Sequence, residues 1–94
     1  MEKEEIMERF AEFFKEYYYD ELISAAVENK KSLLIDFSIL DKFNPELADY
    51  LTENPEEVLS IAEEVIKQID LPAEAKLKVR IFNLPQDRQI SIRN

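Results

Sequence analysis

Apolar positions along the chain change period several times, and each change marks an element. From Glu2 to about Tyr18, Ile6, Phe10, Phe13, Phe14 and Tyr17 fall four, three, one and three apart, one stripe of a helix whose remaining face is Glu and Lys. Tyr18, Tyr19 and Asp20 break the register, so a kink is expected near Asp20. A second, shorter helical face then carries Leu22, Ile23, Ala26 and Val27 up to Glu28. Asn29 supplies a left-handed C-cap, followed by the cations Lys30 and Lys31 at the negative end of the helix dipole. Ser32 to Phe37 alternates, with Leu33, Ile35 and Phe37 on one face and Leu34 and Asp36 on the other, the period of a half-buried strand.

Three helix starts follow. Ser38 with Asp41 has the spacing of a capping box and opens a short helical turn that Asn44-Pro45 ends. Asn44-Pro45 and Asn54-Pro55, ten residues apart, each place an Asn able to accept from orphan amides before a Pro whose missing N–H costs nothing at the first helical position. Pro45 to Glu53 is expected to bury Leu47, Ala48 and Leu51. Pro55 to Ile69, with Asn54 and Glu57 again at capping-box spacing, carries Val58, Ile61, Ala62, Val65, Ile66 and Ile69 on one stripe. Leu71-Pro72 stops it. Lys76 to Phe82 alternates as a strand with an apolar face and a largely basic one, Lys78 and Arg80. Leu84-Pro85-Gln86-Asp87 is turn chemistry, and Ile90 and Ile92 fit a further short strand whose exposed side chains would favour self-association. The pattern predicts a mostly α fold: a small bundle of four to five helices with two or three short β-strands, the strands at Ser32 and Lys76 pairing with each other.

Composition removes most chemistry. The 94 residues contain no Gly, Cys or His, against about 7% Gly in an average protein. Phosphate-cradling loops, nucleophile elbows, thiol chemistry, imidazole catalysis and zinc sites with N or S ligands are therefore excluded. Acidic pairs such as Glu4 with Glu8 and Glu12 with Glu16 read as a solvated helix face, and no catalytic, cofactor or metal residue is assigned. The protein is read as not an enzyme.

No apolar run approaches the ~20 residues of a membrane span, and the acidic amino terminus does not suit a leader, so a cytoplasmic protein is expected. The net charge of −9 is uneven. From Lys76 onward Lys76, Lys78, Arg80, Arg88 and Arg93 stand against Asp87, a net of +4 beside −13 for the first 75 residues. An acidic body repels phosphate backbones. Candidate phosphate or docking contacts are limited to Lys30, Lys31, Lys78 and Arg80, with Arg88 beyond them. Tyr17 to Tyr19 could stack bases but lacks interleaved cations.

The segment KSLLIDFSILDKFNPELADYLTENPEEVL, followed after a helix by KLKVRIFNLP and then ISIRN, closely resembles the amino-terminal region of archaeal minichromosome maintenance (MCM) replicative helicases. There a helix rich in Phe and Glu precedes a (K/R)SL-x-(I/V)-(D/E)-(F/W/Y) strand, an F-(D/N)-P-(E/D)-L-A helix, an (E/N)-x-P helix start and a V-x-(V/I)-R strand in the same order. The likeness runs from about Glu5 to Arg93 and is most specific at Lys31 to Phe37, Phe43 to Ala48 and Val79 to Pro85.

The resemblance implies subdomain A, the outermost helical piece of the helicase, over residues 1–75, and a β segment over 76–94 leading toward an absent oligonucleotide-binding fold. It implies a regulatory and assembly role in a homo-hexamer or double hexamer at the nucleoid, with replication proteins as further partners and DNA reached through the parent protein. ATP, magnesium and zinc are expected only in the missing parts. The abrupt end at Asn94 is what a piece of a longer chain would show. Asn54 and Pro55, joining two helices without glycine, are the expected hinge. Two other readings stay open: an auxiliary DNA-binding module using the basic residues above, and a stand-alone acidic helical adaptor.

Overall fold

A computed structural model describes residues 1–85. Among them lie five helices and two strands: α1 (Lys3–Tyr17), α2 (Tyr19–Val27), β1 (Ser32–Asp36), α3 (Phe37–Phe43), α4 (Pro45–Glu53), α5 (Pro55–Gln68) and β2 (Lys78–Phe82). The strands form a two-stranded parallel sheet in which Ser32 faces Lys78, Leu34 faces Arg80 and Asp36 faces Phe82. Three helices fill the crossover between them, as a parallel pair requires. The expected mostly α fold and the pairing of the two strands are both present. The turn expected at Leu84 to Asp87 lies partly, and the strand at Ile90 and Ile92 wholly, outside the described residues.

The Phe-rich stripe of α1 is the centre of the core. Ile6, Phe10, Phe13 and Phe14 are buried, with the Phe10 and Phe14 rings stacked at 5.5 Å, and α1 packs along α5. From α5, Val58, Leu59, Ile61, Ala62, Val65 and Ile66 are buried, so Leu59 widens the expected stripe while Ile69 is only partly covered. No polar or charged residue is buried among those described.

Two expectations at the α1–α2 junction are corrected. The break falls at Tyr18 (φ −130°, ψ 12°) rather than near Asp20. That backbone turn swings the Tyr18 ring into the core at 7% exposure and leaves Tyr17 at 46%, the reverse of what a continued stripe gives. Hydrogen bonding runs through the kink, since Tyr18 N–H donates to Phe14 O and Leu22 N–H to Tyr18 O. The restart also rotates α2, which buries Leu22, Ala25 and Ala26 and exposes Val27.

Without glycine, the chain turns on Asp and Asn. Asn29 takes φ 57°, and Lys30 N–H donates to Ala25 O while Asn29 N–H donates to Ala26 O, a Schellman closure with Asn in the usual glycine place. From Ser32 to Gln68 each element passes to the next through at most one residue. Asn44 caps α4 as expected, its side chain accepting Leu47 N–H at 3.1 Å.

The other two caps differ from expectation. Asp36, not Ser38, caps α3 and accepts Ser38 N–H at 2.9 Å, because β1 runs straight into α3 and reaches the first free amides two residues earlier. The Asn54 side chain makes no cap to α5. Its Nδ2 donates backwards to Tyr50 O at 3.4 Å, serving the carbonyl end of α4, and Glu57 accepts the Tyr50 hydroxyl at 3.0 Å instead of closing a capping box.

Candidate functional site

In a parallel pair, residues alternate between bonding the partner strand and facing away. Lys78 N–H donates to Lys31 O at 3.0 Å, which with the register turns Val79 and Ile81 toward the outer edge of β2, and Leu34 and Asp36 toward that of β1. Two side chains from helices meet those edges. Glu63 of α5 accepts Val79 N–H at 3.0 Å, and the Tyr18 phenol oxygen accepts Asp36 N–H at 2.9 Å. Burial raises the Tyr18 phenol pKa above its ordinary value, with the Asp36 and Glu21 charges adding to it against the lowering effect of the Asp36 amide.

The sheet gathers the candidate cations. Lys30 and Lys31 lead into β1 and Lys78 opens β2 at the same end, while Arg80 stands opposite the exposed Leu34. They are not equally available. Lys78 Nζ lies 3.6 Å from the Glu63 carboxylate and Lys30 Nζ 4.0 Å from Glu28, whereas Lys31 and Arg80 have no ion pair among the described residues. Arg88 lies outside them. Asn54 and Pro55 form the α4–α5 joint and take no part in the sheet.

The far end of the sheet is polar and tied. Asp36 Oδ1 accepts from Ser38 Oγ at 2.7 Å and from Asn83 Nδ2 at 3.1 Å, with Asn83 itself at φ 61°. The Ser38 hydroxyl does most to hold the Asp36 carboxyl below its ordinary pKa, with the Asn83 amide, the Ser38 N–H and Lys42 assisting against partial desolvation. Between the two ends, Leu34 at 57% and Phe82 at 47% exposure flank Arg80. The arrangement is a small outward sheet face, apolar and cationic, on an acidic body. Glu63, Tyr18 and Asn83 escaped the sequence reading because each acts across the fold, on an amide or carboxylate at least 16 residues away.

Among the described residues there is no group of three or more Asp or Glu placed to hold a metal ion, and no helix is long and apolar enough to cross a membrane. The acidic ladder of α1 lies on its exposed side and takes Arg9 into exposed pairs with Glu8 and Glu12.

Comparison with known proteins bears on the fold and the family. The family model described as the MCM N-terminal domain matches residues 7–93. The 1.8 Å crystal structure of the N-terminal domain of an archaeal MCM superposes with a TM-score of 0.72 at 23% identity, over 86% of this chain and 36% of that one. At that identity the likeness speaks for the fold alone. This chain thus spans about a third of that structure's length. No curated protein matches.

Proposed function

The chain belongs to the MCM N-terminal domain family, and from that membership we propose that it is a non-catalytic regulatory and assembly subdomain of a hexameric replicative DNA helicase. On this reading it influences ring architecture and partner access, and the other MCM subunits of the ring are its principal partners. ATP, magnesium and zinc are assigned to other parts of the parent protein, which works at the nucleoid. The single observation that supports a docking rather than a chemical role is where the functional groups stand. Among the described residues no polar or charged side chain is buried, and Lys78 and Arg80 stand beside the exposed Leu34 and Phe82 on the outer face of the sheet.

The Asn54-Pro55 joint is proposed to set how α4 is posed against α5, and through them the pose of the subdomain. Its three polar ties, Asn54 N–H and Nδ2 to Tyr50 O and the Tyr50 hydroxyl to Glu57, hold one arrangement without a glycine.

The test compares the full-length parent with a form lacking residues 1–85. The expected result is retained ATP hydrolysis with an altered distribution of ring species in sedimentation and an altered unwinding rate. Unchanged assembly and unwinding would overturn the proposal.

A further inference from the structure

Each edge of the sheet has one outward amide closed by a helix side chain, and what stays open beside them points to a binding site. At β2 the Glu63 carboxylate takes Val79 N–H and α5 packs against the strand. At β1 Tyr18 takes Asp36 N–H. The outward N–H groups of Ile81 and Leu34 have no partner among the described residues, but Ile81 is partly buried whereas the Leu34 side chain is 57% exposed. Beside it lies a groove of about 610 Å³ between β1 and α2, floored by Ala25 and Leu33 and rimmed by Asp20, Glu21 and Glu28. Lys30 is the one cation in its lining and lies against Glu28.

We propose that this edge binds an extended, basic segment of another protein as a third strand, through the main-chain groups of Leu34. Edge strands with unpaired main-chain groups are templates for strand addition, in which main-chain bonds supply affinity and alternate side chains supply selectivity. Here the alternation has a definite chemistry. Side chains directed toward α2 meet Asp20, Glu21 and Glu28, and those on the outer face lie beside Leu34. The fitting sequence therefore alternates basic and apolar residues. The β1 edge of a second copy does not fit. Pairing β1 with β1 would bring two sets of these rim acids together, and the partner's own α2 toward the groove.

The test uses the 94-residue protein and a blocked six-residue peptide of alternating Arg and Val, followed by amide-resolved NMR. The expected result is saturable shifts centred on Ser32 and Leu34, slowed exchange of the Leu34 amide, and no change at Val79. Replacing Arg by Glu in the peptide should weaken binding by at least about tenfold, and Glu21→Gln with Glu28→Gln by about twofold to fivefold per charge. Leu34→Pro should abolish it, since it removes an N–H that the β1–β2 ladder does not use. The double Gln variant serves should the proline disturb folding. Shifts centred on Arg80 and Phe82 without Leu34 protection, equal binding of the acidic peptide, or no binding at millimolar peptide would each overturn the proposal.

Discussion

The Glu63 carboxylate accepts the outward amide of Val79 at 3.0 Å, so a side chain of α5 closes one outward N–H of β2. Lys78 reaches the other carboxylate oxygen at 3.6 Å. Removing this acceptor strands a partly buried N–H. Glu63→Ala should cost about 1.5–3 kcal/mol, the range for a hydrogen bond to a charged group. Glu63→Gln keeps an acceptor and should cost less. Urea unfolding of the two variants checks the order, and equal losses would mean that the acceptor is immaterial.

Tyr18 does the same for the other edge. Tyr18→Phe keeps the buried ring and removes only the oxygen that accepts Asp36 N–H. The expected loss is about 1–3 kcal/mol, a fall in Tm of roughly 4–8 °C per kcal/mol for a domain this size, together with faster exchange of the Asp36 amide. Because the Tyr18 pKa is raised, the native state favours the neutral phenol. This contribution is complete below the ordinary value of 10.0 and is lost as pH rises through the higher native one.

These two residues also mark what could be read from sequence. Periodicity, with the capping and Asn-Pro signals, located every described helix and both described strands, and Phe10, Phe13, Val58 and Ile66 are buried for the reason their spacing suggests. It misplaced Tyr17 and Tyr18 because a single non-helical residue rotates everything after it, and no local rule distinguishes three consecutive tyrosines. It named Asn44 correctly as a cap and misjudged Asn54, because the same side chain can serve the helix behind it as well as the one ahead. The basic face of β2 was legible. The closing of Val79 N–H by Glu63 and the opening at Leu34 were not, since both depend on which strand lies beside which helix.

Asp36 carries a pH dependence of opposite sign to that of Tyr18. With its carboxyl held low chiefly by the Ser38 hydroxyl, the stabilisation is complete above the ordinary value of 3.8 and is lost as pH falls through the lower native value. Carboxyl-carbon NMR should show Asp36 titrating below 3.8, and Ser38→Ala should move it upward. An unchanged midpoint in the variant would count against the hydroxyl as the main cause.

The two Asn-Pro joints should respond unequally. Asn44→Ala removes a side-chain cap and should cost about 1 kcal/mol, within the 0.5–2 range for such caps. Asn54→Ala loses only the long backward bond to Tyr50 O and should cost less than half as much. Denaturant midpoints at constant m-value test this, and a larger loss at Asn54 would show that the backward bond, not the cap, governs the joint.

The sheet also sets an upper limit on direct contact with DNA. Each phosphate neutralised contributes about −0.7 to the slope of log K against log salt for a single strand. Lys78 and Lys30 already face Glu63 and Glu28, which leaves Lys31 and Arg80 as the ready cations at the sheet. Labelled single-stranded DNA should therefore bind the 94-residue protein only at low salt, with a slope near about −1.4 for two phosphates. Both the slope and the weak affinity should shrink further in Arg80→Gln. A slope steeper than about −3 would require Lys30 and Lys78 to leave Glu28 and Glu63 for phosphate and further cations to join them. That outcome would favour a DNA-binding module over the docking role, because an acidic body with net charge −9 would then have to be outweighed by contacts at the sheet.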